Sequence, residues 1–228
     1  PKWLKKSSMC PDVTKVAFCY KGDIFTVSVN GGRALQITTN QAYDSDPLWT
    51  PDGKRIVFSS YRAGSKDIFM TSAEGGVPRR LTDYPGNETP LCVLDGGRVL
   101  FQANIQQDAV YGGFPGNPQV WQVDEKAGRT QLVTSMPLMA MSVNNSGEVI
   151  YEDYKGYEDP LRKHHQSSVT RDIWLYKPAS AQGERFTVTG EGTFTKQTSI
   201  IGHDRKPVFA TDGKTYYYIS EADGTLNV

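Results

Sequence analysis

Asp46-Pro-Leu-Trp-Thr-Pro-Asp-Gly-Lys-Arg-Ile-Val-Phe58 is followed by Asp67-Ile-Phe-Met70, then by Gly75-Gly76 and by Leu81-Thr82. The same phrase returns along the chain. An earlier copy runs Cys10-Pro-Asp-Val13, Val16-Ala-Phe18, Asp23-Ile-Phe25, Gly31-Gly32 and Ile37-Thr38. A third runs Thr89-Pro-Leu-Cys92, Asp95-Gly96, Val99-Leu-Phe101, Val120-Trp121, Gly128 and Leu132-Val133. A fourth runs Asn145-Ser-Gly147, Val149-Ile-Tyr151, Asp172-Ile-Trp174, Gly183 and Phe186-Thr187. A fifth starts at Lys206-Pro-Val-Phe209, passes Asp212-Gly213 and Tyr216-Tyr-Tyr-Ile219, and reaches Val228. Asp23 and Asp67 are 44 residues apart, and Asp52 and Asp95 are 43 apart. That is the period of a four-stranded propeller blade.

Each unit holds short apolar runs between turn residues, with no helical periodicity. Asp-Gly and Gly-Gly between apolar runs signal tight hairpins, because glycine accepts the positive φ that such turns need. The run after each Asp-Gly, such as Ile56-Val-Phe58 or Tyr216-Tyr-Tyr-Ile219, is apolar without alternation. A strand covered on both faces reads this way, and a sandwich with one solvated face does not. The expectation is an all-β chain of four-stranded antiparallel blades, at about 5–40, 41–85, 86–137, 138–193 and an incomplete 194–228. That makes about four and a half blades of a ring of six or more. The first turn, Cys10-Pro-Asp-Val13, lacks the glycine and should be less regular.

Bulk chemistry narrows the function. Lysine plus arginine and aspartate plus glutamate number 25 each, so no field of one sign extends over the molecule. The composition predicts neither a nucleic-acid partner nor an anionic membrane partner. No apolar run approaches a membrane helix, and Pro1-Lys2-Trp3-Leu4 reads as mature sequence. The three cysteines lack metal-ligand spacing and read as buried or half-buried thiols.

The repeat consensus, an aromatic then Ser/Thr-Pro-Asp-Gly-Lys-x-Ile-Ala/Val-Phe and later Asp-Ile-Tyr/Phe, Gly-Gly and Leu-Thr, resembles TolB-type and tricorn-type propeller repeats. Val16-Ala-Phe-Cys-Tyr-Lys-Gly-Asp-Ile-Phe25 is similar to the first blade of tricorn-like serine peptidases. So is Tyr154-Lys-Gly-Tyr-Glu-Asp-Pro-Leu-Arg-Lys-His-His-Gln-Ser-Ser-Val-Thr-Arg-Asp-Ile-Trp174, which is long enough to be far more specific. The resemblance covers nearly the whole chain. It implies a non-catalytic N-terminal propeller that binds peptide or protein, gates substrate, or docks a separate part bearing the nucleophilic serine. It also implies a periplasmic or otherwise extracytoplasmic setting. Two alternatives are a stand-alone TolB-like propeller working through protein partners, and a propeller with its own hydrolytic or lyase site.

No constellation in the chain itself points to chemistry. Ser167 and Ser168 lie near His164 and His165, but proximity within one loop does not make a triad. Adjacent histidines on an extended chain point to opposite sides, so His164, His165, Glu158, Asp159 and Asp172 do not form a metal set by spacing. Asp44, Asp46 and Glu88 read as solvated carboxylates in loops leading to first strands. Gly112-Gly-Phe-Pro-Gly116 lacks the lysine and helix of a phosphate loop. No catalytic residue, metal or cofactor is expected. The informative departures are two insertions, about Ala103–Pro118 and Tyr154–Arg171, each between the second and third strands of its blade. Loops on a rigid scaffold commonly carry recognition. The candidate binding residues are Gln107, Tyr111, Phe114, Glu158, Arg162, Lys163, His164, His165 and Arg171.

Overall fold

The structure, a computed structural model, describes residues 4–105, 117–126, 128–156, 169–181, 186–225 and 227–228. All regular elements among them are strands, arranged in five antiparallel sheets. The first sheet contains β1 (Leu4–Met9), β2 (Lys15–Tyr20), β3 (Asp23–Ser28) and β4 (Leu35–Gln36) in that order. The second contains β5 (Asp44–Trp49), β6 (Arg55–Ser60), β7 (Asp67–Ser72) and β8 (Arg79–Arg80). The third contains β9 (Glu88–Val93), β10 (Arg98–Ala103), β11 (Gln119–Asp124) and β12 (Thr130–Thr134). The fourth contains β13 (Leu138–Val143), β14 (Val149–Asp153), β15 (Ile173–Lys177) and β16 (Thr193–Lys196). Among the described residues the fifth has two strands, β17 (Asp204–Phe209) and β18 (Tyr216–Ser220). Two compact units result, one built on the first two sheets and most of the third, the other on the fourth and fifth.

Turn chemistry explains the hairpins between first and second strands. Gly53 takes φ 66° and donates its amide to the Thr50 carbonyl at 2.8 Å. Val13 occupies the same place in the first sheet with φ 60°, donating to Cys10 at 2.8 Å. The expected irregularity is therefore absent. The β-branched residue is forced into the left-handed region, and the cost appears as backbone strain.

Each first strand slips against its second strand by a β-bulge. Lys6, Asp46 and Lys206, at three of these bulges, have φ of 48°, 55° and 52°. Five repeats of one irregularity indicate a built feature that bends the strand and turns its side chains.

In the first unit the core lies between the first and second sheets. Ala17, Cys19, Ile24, Ile37, Trp49, Ile56, Phe58 and Phe69 meet there. Cross-strand aromatics add to it, with Phe18 and Phe25 at 5.8 Å and Phe58 and Phe69 at 6.1 Å. In the second unit Leu138, Val149, Ile150, Ile173, Tyr176 and Phe186 are buried. Its two sheets are joined by Asn144 Nδ2 to the Gly213 carbonyl at 2.8 Å. The two faces of β6 are covered as the unalternating sequence predicts, but β18 is half-exposed, with Tyr217 at 59%. All three cysteines are free; Cys10 and Cys19 are buried and Cys92 is half-buried.

Candidate functional site

Both long insertions leave the same end of their sheets, where second strands finish and third strands begin. The heads of first strands lie at this end too, and three of them are acids. The amides of Asp44, Glu88 and Asp204 donate to the carbonyls of Gly22, Lys66 and Arg171 at 2.8, 2.8 and 2.9 Å. The residues after those carbonyls are again acids: Asp23, Asp67 and Asp172. Each of these junctions thus brings together Asp23 with Asp44, Asp67 with Glu88, or Asp172 with Asp204. The expectation of solvated loop carboxylates fails here. Asp44, Asp67, Glu88 and Asp204 are all 0% exposed, because the neighbouring sheet closes over the strand heads.

A buried carboxylate needs a cation or donors. Arg62 Nη2 meets Asp44 at 2.8 Å, and Arg80 meets Asp67 at 2.9 Å. Thr82 Oγ1 donates to Glu88 while accepting the Ile68 amide at 2.9 Å. Thr38 and Thr198 accept the amides of Ile24 and Ile173 in the same way, each at 3.0 Å. These threonines, which follow Ile37, Leu81 and Gln197, therefore cap an amide at the start of the third strand. Burial pushes Glu88 up to about 7, with the Asp67 charge adding to burial and the Thr82 hydrogen bond opposing it. Burial also raises Asp23, helped by the charge of Asp44. Asp46 goes the other way. Burial works against it, but Lys66 at 2.9 Å and Lys6 at 3.2 Å hold it below the ordinary range.

The base of the second insertion is the most heavily tied part of this end. Lys155 Nζ contacts Asp172 and the Thr170 carbonyl (2.7 Å), joining the outgoing and returning chains. Asp153 accepts the Asp172 amide at 2.8 Å and Trp174 Nε1 at 3.2 Å. Lys196 reaches Asp172 at 2.9 Å. Burial alone would raise Asp172, but the Lys155 and Lys196 hydrogen bonds bring it below its ordinary value. Arg171 pairs with Glu152 and lies 6.0 Å from the centre of the Tyr154 ring. Its amide donates to His203 Nδ1 at 3.2 Å.

Of the nine candidate binding residues, the structure describes Arg171, which is half-buried in this base. Gln107, Tyr111, Phe114, Glu158, Arg162, Lys163, His164 and His165 lie outside the described residues. His203 is the one described histidine, and it is 1% exposed. Among the described residues no group of three or more His, Cys, Asp or Glu side chains is placed to hold a metal ion, and no helix is long and apolar enough to cross a membrane. Sequence reading missed the acid junctions. For the threonine caps a signal was available in equal spacing, since Ile24 to Thr38 and Ile68 to Thr82 are both 14 residues.

Repeated four-stranded antiparallel sheets, each with a bulged first strand, define a β-propeller. Residues 8–228 match the tricorn protease N-terminal beta propeller domain, and the chain belongs to that family. The uncharacterized peptidase YuxL of Bacillus subtilis is 31% identical over 107 residues, covering 42% of this chain and 16% of that protein. Tricorn protease homolog 1 of Streptomyces coelicolor is 30% identical over 69 residues, covering 30% of this chain and 6% of that protein. The chain thus spans less than a fifth of the length of these relatives. The crystal structure of the tricorn protease matches with a TM-score of 0.72 and 17% identity, over 98% of this chain and 21% of that one. TolB from Acinetobacter baumannii matches with a TM-score of 0.64 and 16% identity, over 95% of this chain and 48% of that one. At these identities the structural matches speak to the fold.

Proposed function

We propose that this propeller is a non-catalytic recognition module that binds an extended peptide or protein segment at the insertion end of its sheets. In the whole protein it positions polypeptide for, or docks, a separate catalytic part of the tricorn type. The carrying observation is the base of the second insertion. Lys155, Asp172, Asp153, Lys196 and the Arg171–Glu152 pair clamp both chain ends onto β14 and β15. A clamp of this kind fixes where a recognition loop starts and ends, which lowers the ordering cost of binding. The proposed contact residues are Gln107, Tyr111 and Phe114 on the first insertion. On the second they are Glu158, Arg162, Lys163, His164 and His165, with Arg171 supporting them from the base.

Replacing residues 157–168 by a Gly-Ser linker of equal length tests this reading. Binding of a fluorescein-labelled casein digest, followed by fluorescence anisotropy, should weaken at least tenfold while the melting temperature holds. Unchanged binding contradicts the proposal, as does peptidase turnover by this chain that is lost on His164→Ala.

A further inference from the structure

The loop that joins the second sheet to the third is clasped at its two ends. Thr82 and Glu88 flank residues 83–87, and the Thr82 hydroxyl donates to Glu88 Oε2. Both ends are also tied to the start of β7. Thr82 Oγ1 accepts the Ile68 amide at 2.9 Å, and the Glu88 amide donates to the Lys66 carbonyl at 2.8 Å. From this loop the Tyr84 hydroxyl donates to the Asn104 carbonyl at 3.3 Å. Asn104 follows directly on β10, whose last residue, Ala103, pairs with Glu88. Gly86 lets the Tyr84 ring lie against the loop, since a Cβ there would fall 2.6 Å from it. The clasped loop is thus part of the seat of the first insertion.

The clasp is short of one positive charge. Asp67 and Glu88 are both 0% exposed. Arg80 on β8 acts on both, but its Nη2 is given to Asp67 at 2.9 Å. Lys66, on the turn before β7, gives its ammonium to Asp46 of β5 at 2.9 Å and to Thr89 Oγ1 at 3.0 Å. From β6, Ser59 Oγ donates to the Glu88 carbonyl at 3.0 Å, and β10 offers the uncharged Ala103. Asp83, beside Thr82, is exposed to water. Glu88 Oε1 has no hydrogen-bond partner among the described residues. The neighbouring junction differs: Asp44 is equally buried but has Arg62, and Asp23 is partly exposed. Two buried acids sharing one arginine are best accommodated when one of them keeps its proton. Burial pushes Glu88 up to about 7, so it is the acid that does.

We infer that Glu88 is a proton switch for the loop at 83–87 and, through Tyr84, for the seat of the first insertion. With Glu88 protonated, the loop closes over a neutral side chain. An ionised Glu88 is better solvated outside the junction, so the loop opens and Tyr84 leaves Asn104. Closure is favoured fully below the ordinary carboxyl value of 4.5, weakens as pH rises, and changes no further above about 7. The effect on recognition rests on the function proposed above; the loop switch itself does not.

Hydrogen exchange, corrected for the chemical effect of pH, reads the switch at pH 5 and pH 8. Protection of the Ile68 and Glu88 amides should fall about tenfold or more between the two, beyond any change at the core amides of β2. Protection of residues 104–105 should fall with it. Glu88→Gln should hold all of these at pH 8 as they are at pH 5. Tyr84→Phe should keep the response at Ile68 and Glu88 and lose it at residues 104–105. An equal pH response in the wild type and Glu88→Gln, or an unaltered response at 104–105 in Tyr84→Phe, overturns the inference. Casein digest should bind the wild type more weakly relative to Glu88→Gln at pH 8 than at pH 5, by about threefold or more. That ratio cancels the titration of the digest and of the histidines. An equal ratio at both pH values overturns the effect on recognition. Absence of casein binding at either pH contradicts the recognition module alone, since the exchange is measured without peptide.

Discussion

Val13 shows how a repeat stays regular when its sequence does not. The turn geometry is set by the strands on either side, so the residue conforms and the strain is local. Val13→Gly should stabilise the chain by about 1 kcal/mol, checked by urea denaturation. Arg62 carries a larger effect, since its removal leaves Asp44 buried without its cation. Arg62→Ala should cost about 3 kcal/mol in the same measurement. Glu88 makes stability depend on pH. The unfolded chain loses this proton near the ordinary value of 4.5, and the folded chain near about 7. Between those values the folded state binds more protons, so stability falls as pH rises and the loss is complete above about 7. Asp46 and Asp172, whose values are lowered, contribute the opposite limb, losing stability as pH falls below the ordinary carboxylate range. Thermal melts should therefore peak at mildly acidic pH. Glu88→Gln should raise stability at pH 8 by on the order of 2 kcal/mol and change little at pH 5. A variant equally stabilised at both would contradict the assignment.

At the scale of elements, the legible features were those encoded locally. Pro51-Asp-Gly53 names its turn because only a few residues tolerate that φ. Ile56-Val-Phe58 names a doubly covered strand because its composition ignores alternation. The acid junctions were not legible because each joins residues on different sheets, and because Leu138 occupies the corresponding strand head without an acid. The shorter turn at Leu94–Gly97 hid a further correspondence: strand pairing aligns Glu88 with Asp44, since Glu88 faces Ala103 where Asp44 faces Ser60. The threonine caps belong to this scale as well. Thr82→Val removes both the acceptor for the Ile68 amide and the donor to Glu88, and should cost about 1–3 kcal/mol. Hydrogen exchange at Ile68 should speed up in that variant beyond the change at core amides of β6.

At the scale of the molecule, the propeller fold was readable from the period, and the family from two specific segments. The location of function was legible only in outline. The insertions stood out as departures from the period, yet the clamp beneath them joins Lys155 to Asp172 and Arg171 to Glu152 across strand ends. No consensus residue marks that arrangement. The proposed recognition takes place at the end of the sheets bearing those insertions. Hydrogen exchange of the chain with and without saturating casein digest tests it most directly. New protection is expected at residues 103–105, 153–156 and 169–172, beside both insertions. Protection centred on the opposite turns, at residues 51–54, 95–97 and 145–147, would contradict it.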